Sequence, residues 1–326
     1  MVASMINYKE RTESTKKERR SNDCLFALDV ETTSIWHNCL RDETGRKVAD
    51  EAIPILVDLF QSMDVGTTFF ITGYFASKFP EAVKRIHQNG FEIGSHSLYH
   101  DKENGHDVTD LKTQISHLSA SKDILENITG EQVLSFRAPA LRINEHTAFA
   151  LAETNYRIDS SVASQRFDFF FSIGSVNKLK WLFAPRLPYR TDHNSLVKRG
   201  DGPIIEVPLS AYIIPYLGTT MRIFPQITKV QHHLVHLENR INSKPVVFDF
   251  HPNELVDESL EVRTIYRRSG NVIKYLVQDY LRTKLKQKNL GSNALKLYRR
   301  EMEFFKARNY NFVSLKEYCL SNGLLI

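Results

Sequence analysis

Short apolar runs alternate with stretches of helical periodicity along this 326-residue chain. Residues 24–30 (CLFALDV) read as a first buried strand. Residues 67–72 (TTFFIT) are β-branched and aromatic between Gly66 and Gly73, and predict a second. Further strands are expected at 91–94, 132–136, 156–158, 203–209 and 245–250, with a short last one at 311–313. Helical spacing falls between them, at 48–63, 80–88, 109–128, 144–154, 227–241, 272–288 and 294–307. Pro54 is tolerable only near the start of the first of these. Asn89-Gly90 stops the second, Thr109 is the expected cap of the third, and Ser314 that of a final helix. Residues 167–191 are aromatic-rich and read as an elaborated loop, as do 212–224. About seven alternations of strand and helix predict a parallel sheet with helices outside it, open or closed into a barrel.

Polar motifs recur at the ends of the strands, where such folds build their sites. Asp29 and Glu31 are two apart and share one side of a strand. Two such carboxylates beside a buried run need a cation or a proton between them. His96 and His100 in HSLYH are spaced to reach one ion from a helical turn or a tight loop, which a local Ser97 bond would hold. Two imidazoles and a carboxylate leave a coordination position open for water. Arg137 opens Arg137-Ala138-Pro139, where the proline stiffens the turn, and Asp29 is its natural partner. His251 follows PVVFDF and could protonate a leaving group. Read singly, each is as well explained as a solvated cap, a surface histidine, an ordinary ion pair or a core histidine.

Charge is uneven. Residues 263–308 hold 13 Lys/Arg against 3 Asp/Glu, so the rest of the chain is net acidic although the whole is +5. That basic stretch lacks any motif that reads nucleic acid, and a solvated helical face is its plain explanation. Cys24, Cys39 and Cys319 have neither the number nor the spacing of a disulfide framework or a cysteine-rich zinc site. Residues 1–22 are polar and basic, the expectation for a disordered arm, and residues 23–326 for a single catalytic domain. With no signal-like apolar segment and no run of membrane-spanning length, the expected location is cytoplasmic.

Together and in this order, the motifs resemble those of the polysaccharide deacetylase family, the NodB-type carbohydrate esterases. The acid pair after that family's first strand is matched by Asp29 and Glu31, and its His-Ser/Thr-x-x-His by His96 to His100. Its Arg-x-Pro is matched by Arg137 to Pro139, and its late histidine by Phe250-His251-Pro252. The resemblance implies an α/β fold, a distorted (β/α)7 barrel, here with extra C-terminal helices. It implies removal of an N-acetyl or N-formyl group from a sugar, a glycan, or a nucleotide- or lipid-linked sugar. A divalent metal is implied too, zinc first, with Co2+, Ni2+ or Mn2+ as alternatives. Carried over, Glu31, His96 and His100 would ligate the metal. Asp29 would be the general base, oriented by Arg137, and His251 the general acid. The backbone N–H of Ala140 would face the oxyanion, with Ser97 and Pro139 in support.

Two departures qualify this. Val30 separates the acids, so the roles of Asp29 and Glu31 could be exchanged. The family's Asp- and Trp-containing fourth motif is not recognisable; Asp159-Ser160-Ser161 takes its approximate place, leaving Asp159 and Asp249 as candidate partners of His251. Lys178, Lys180, Arg186 and Arg190 would suit an anionic or lipid-phosphate-linked substrate, with peripheral membrane contact. The alternatives are a metal-independent amidohydrolase acting on a cyclic ureide and a catalytically silent carbohydrate- or membrane-binding relative.

Overall fold

The computed structural model describes residues 22–164, 181–262 and 280–325. The expected N-terminal arm, much of the aromatic loop with Lys178 and Lys180, and the start of the helix expected at 272–288 lie outside the described residues.

Beside the expected short last strand, Asn311–Phe312, which pairs in parallel with Asp23 and Cys24, seven parallel strands appear where apolar runs predict them. They are β1 (Asp23–Val30), β2 (Thr67–Ile71), β3 (Glu92–Ser95), β4 (Ser135–Phe136), β5 (Ile158–Asp159), β6 (Ile205–Glu206) and β7 (Val246–Phe250). They lie in the order β7-β1-β2-β3-β4-β5-β6. All eight residues of β1 are buried. A strand paired on both sides and covered on both faces needs no polar alternation, which is why its sequence is a continuous apolar run.

The sheet curls until β6 and β7 approach each other. Among the described residues no strand ladder joins these two. Ser210 stitches the gap instead: its N–H donates to Val247 O at 3.0 Å and its hydroxyl accepts from Val247 N at 3.1 Å. The result is the distorted barrel that the motifs imply. Aromatic rings fill the core beside β1 and β7, with Phe26 and Phe248 centroids 4.8 Å apart and Phe60 edge-on to Phe69 and Phe250. Each such ring withdraws apolar surface worth roughly 2–3 kcal/mol.

Several boundaries differ from expectation. The first helix starts at Asp42–Lys47 and passes through a wider turn, Val48–Ala52, into Ile53–Ser62. There Ile53 N–H reaches back to Val48 O, and this looser turn carries the backbone past Pro54, which has no N–H to give. Asp110, not Thr109, caps Leu111–Thr129 by accepting from Thr113 N at 2.8 Å. Parts of the supposed irregular segments are regular. Tyr189–Asp192 pairs with Ser195–Arg199, Ala211–Tyr212 pairs with Ile214–Pro215, and Gly218–Ile223 is helical. Ser314 caps Leu315–Ser321 as expected, with Glu317 closing the box. Among the described residues no helix is long and apolar enough to cross a membrane.

Candidate active site

β1 ends by delivering Asp29 beside Phe70 of β2. β3 runs into His96, and β4 into Arg137, whose N–H bonds Ser95 O at 3.0 Å. β7 leads to His251. The four motifs, spread over 220 residues of chain, thus converge at one end of the barrel because consecutive parallel strands all point there.

Arg137 is wholly buried and organises the acids. Its Nη1 bonds Asp29 Oδ1 at 3.1 Å and Asp249 Oδ1 at 2.7 Å, while Nε and Nη2 reach Ser160 O and Oγ, each at 3.0 Å. Phe70 lies under the guanidinium at 4.4 Å. Asp29 Oδ2 faces His96 Nε2 at 3.7 Å and His251 Nε2 at 4.0 Å. Burial works to raise the Asp29 pKa, but His96, Arg137 and His251 together hold it below the ordinary carboxylate value. Burial carries His96 down to about 4, so it is neutral at pH 7 and its contact with Asp29 is not an ion pair. With His96 neutral, the charges on Arg137 and His251 are what keep Asp29 ionised. Burial and then Asp29 push Asp249 up, so the pair carries one charge less than two carboxylates would. Burial opposes charge on His251, yet Asp249, Asp29, Glu254 and Glu31 outweigh it and lift its pKa.

His96 to His100 form a tight loop rather than a helical turn, with Ser97 in left-handed backbone at φ 63°. Ser97 Oγ meets His106 Nε2 at 2.9 Å rather than a local backbone group. His106 is buried, and its other nitrogen lies 3.2 Å from Gln114 Oε1. No spacing rule in the sequence would have singled it out. His100 Nδ1 lies 2.6 Å from Glu31 Oε2, which also accepts from Thr33 Oγ1 at 2.7 Å. Glu31 is held down to about 2, with His100 outweighing the opposing effect of burial.

The donor chemistry fits a divalent cation. His96 Nδ1 faces the carbonyl of Arg137 at 2.8 Å, so that nitrogen carries the proton. Nε2 therefore presents a lone pair. It is buried, has no hydrogen-bond partner among the described residues, and faces a carboxylate oxygen. Two acceptors set against each other call for a cation. Among the described residues, the ligand atoms lying within 4.8 Å of one another are those of Asp29, Asp249 and His251. Arg137 already bonds both acids of that trio, so a second cation there is disfavoured. Glu31 and His100 are bonded to each other, and with His96 they do not meet within that distance.

Of the two candidate partners for His251, Asp249 is in its vicinity. Asp159 serves the Arg137 turn instead: it accepts from Ser161 Oγ at 2.6 Å, and that hydroxyl accepts from Ala138 N at 2.9 Å. Pro139–Leu141 is a short 3-10 turn in which Ala140 and Leu141 hold left-handed backbone, φ 50° and 55°. Sequence reading missed Glu206, the buried neighbour of Asp159 across β5 and β6. It also missed Glu254, which accepts from His251 N at 3.3 Å and pairs with Arg222 at 2.9 Å. The His251-x-x-Glu254 spacing of a capping box was the available signal. A strap joins the loops after Glu31 and His251. Glu258 accepts from Ser34 and from Thr44 Oγ1, and Asn253 Nδ2 donates to Thr33 O at 2.8 Å.

Beside His100 opens a cavity of about 330 Å³ whose walls include Thr32, Tyr74, Tyr99 and Asp101. That is the lower end of the range for small-ligand pockets. The expected anion-binding arginines do not serve it. Arg186 makes two 2.6 Å bonds to Glu238, and Arg190 donates to Leu324 O at 3.0 Å.

Residues 43–158 match the family model for polysaccharide deacetylase. That span holds His96, His100, Arg137 and Pro139, whereas Asp29, Glu31 and His251 lie outside it. Over residues 43–158 the chain is similar to the polysaccharide deacetylase family. A peptidoglycan deacetylase-like protein, FGM2, of Gibberella zeae is 27% identical over 157 residues, 44% of this chain and 45% of that protein. The peptidoglycan deacetylase of Helicobacter pylori is 22% identical over 197 residues, 58% of this chain and 65% of that one. The chain thus spans only part of the curated relatives it matches. A solved structure described as a polysaccharide deacetylase of Mycobacterium smegmatis superposes with a TM-score of 0.57 at 16% identity, covering 93% of this chain and 92% of that one. The allantoinase Puue does so with 0.57 at 14% identity, covering 92% and 90%. At these identities both establish the fold alone.

Proposed function

We propose that the protein is a metal-dependent hydrolase that removes an N-acetyl or N-formyl group from a sugar or glycan. The observation that carries this is Asp29, fixed by Arg137 and set between the unprotonated Nε2 of His96 and His251. His96 and His100, with Glu31 or Asp29, would hold the ion. When bound, it would lower the pKa of a water and polarise the acyl carbonyl. Asp29, kept ionised by Arg137, accepts the proton of the attacking water. His251, whose raised pKa favours the imidazolium, gives its proton to the departing sugar nitrogen. The acids around it, ionised Asp29 among them, favour that imidazolium. The backbone N–H of Ala140, in its left-handed turn, is the candidate oxyanion donor. The cavity beside His100, with Tyr74 and Tyr99 in its lining, offers aromatic surface to a sugar ring.

The test is release of acetate or formate from acylated amino sugars and their oligomers by zinc-loaded protein. Turnover by the native protein, lost in Asp29→Asn while bound metal is retained, supports the assignment. A metal-loaded protein that hydrolyses none of these but opens a cyclic ureide refutes it.

A further inference from the structure

Helix Pro225–Asn242 presents its apolar residues outward. Its buried positions are Thr228, Gln231, His232, Val235 and Asn239. Facing out are Ile227, Val230, Leu234, Leu237 and Ile241, between 38% and 73% exposed. Their spacing alternates three and four residues, so they form one stripe along the helix.

Polar contacts on the inner face hold this orientation. Gln231 Nε2 donates to Ile214 O at 2.7 Å, Asn239 Nδ2 donates to Lys244 O at 2.9 Å, and Tyr310 OH donates to Asn239 Oδ1 at 3.0 Å. His232 stacks on Phe304 at 3.7 Å. Rotating the stripe inward would strand these groups.

The apolar surface continues past the helix. Ile213, 66% exposed, tips the hairpin whose Tyr212 OH donates to Leu234 O at 3.2 Å. Phe183, 91% exposed, lies three residues before Arg186, which is bonded to Glu238 of the helix. The helix and the hairpin thus contribute to one patch, and patches of that kind mark interaction surfaces.

Charge selects the occupant. Lys229, His233 and Arg240 are exposed along the stripe. Glu238, the helix's one acid, is occupied by Arg186 and Tyr212. We propose that this face docks on an anionic lipid surface, with the stripe at the headgroup–acyl boundary and the basic residues among the phosphates. A second copy of the chain suits it less well. Two-fold pairing would set the same basic residues against each other, with no uncommitted carboxylate on the helix to answer them.

The full chain would be sedimented with vesicles of phosphatidylcholine alone, or of phosphatidylcholine and phosphatidylglycerol in equal parts. Binding to the mixed vesicles only is expected, weakened by salt. Leu237→Glu should abolish it, and Lys229→Ala or Arg240→Ala should weaken it about fivefold each. These residues are exposed, and circular dichroism would confirm that the variants fold. Absence of binding by the native chain, or equal binding by Leu237→Glu, overturns the proposal. So does a solution dimer that Leu237→Glu converts to monomer, which would assign the stripe to a second copy.

Discussion

The ring of His96 and the backbone carbonyl of Arg137 are 2.8 Å apart, and that single bond decides which nitrogen of His96 faces Asp29. The residue that steadies the proposed base through its side chain thus also sets the tautomer of a proposed metal ligand through its backbone.

His96→Ala should therefore lose bound divalent metal. Removing a ligand should weaken affinity by more than the roughly 10–100-fold that loss of an outer contact costs. Elemental analysis after dialysis would read this. Retention of one ion per chain by the variant would remove His96 from the ligand set.

Arg137→Leu leaves Asp29 and Asp249 buried without their cation. Breaking a buried pair in this way costs about 3–5 kcal/mol. A lower urea midpoint should accompany lost activity. Arg137→Lys should recover only part of both, because one ammonium cannot span two carboxylates and Ser160.

Most of this arrangement was legible because each motif ends an apolar run, and parallel strands gather such ends. Arg137 and Asp29 could be paired on charge alone. What remained hidden were contacts between side chains far apart in sequence. Ser97 finds His106, Asp159 finds Ser161, and Glu254 finds Arg222. Arg186 was misjudged as a substrate contact because nothing local to it announces Glu238. The first helix was started late because Pro54 reads as a beginning, whereas a widened turn lets the helix run through it.

Stability should fall between about pH 4.5 and pH 8 on account of Glu301. Burial raises its pKa from 4.5 to about 8. Its neighbour His232, 3.3 Å away, is driven down to about 4, so the two meet as neutral groups at pH 7 despite the geometry of an ion pair. Because the folded pKa lies above the unfolded one, the stabilisation is whole below about pH 4.5 and is gone above about pH 8. Glu301→Gln should flatten this part of the curve, by up to a few kcal/mol at about 1.4 kcal/mol per unit. Urea titrations at stepped pH would show it, and parallel curves would contradict it.

Gly94→Ala should destabilise the barrel. An added Cβ would lie 2.6 Å from Phe70 Cδ1 and 3.2 Å from Ser135 O. Overpacking of this kind costs about 1–3 kcal/mol. Phe70 also floors Arg137, so Phe70→Leu in the same chain should recover part of the loss, measured as a shift in urea midpoint.

Ser210 gives the molecule a direction of give. β1 is laddered to a neighbour on each side, and its amides should be the last to exchange with solvent. β7 is laddered to β1, while its other edge is held at two points, the stitch at Val247 and a bridge from Leu217 to Asp249. Thermal breathing will run along that seam. Asp29 sits on a strand laddered on both sides and His251 follows one laddered on a single side, so in the proposed reaction the proton acceptor is held more firmly than the proton donor.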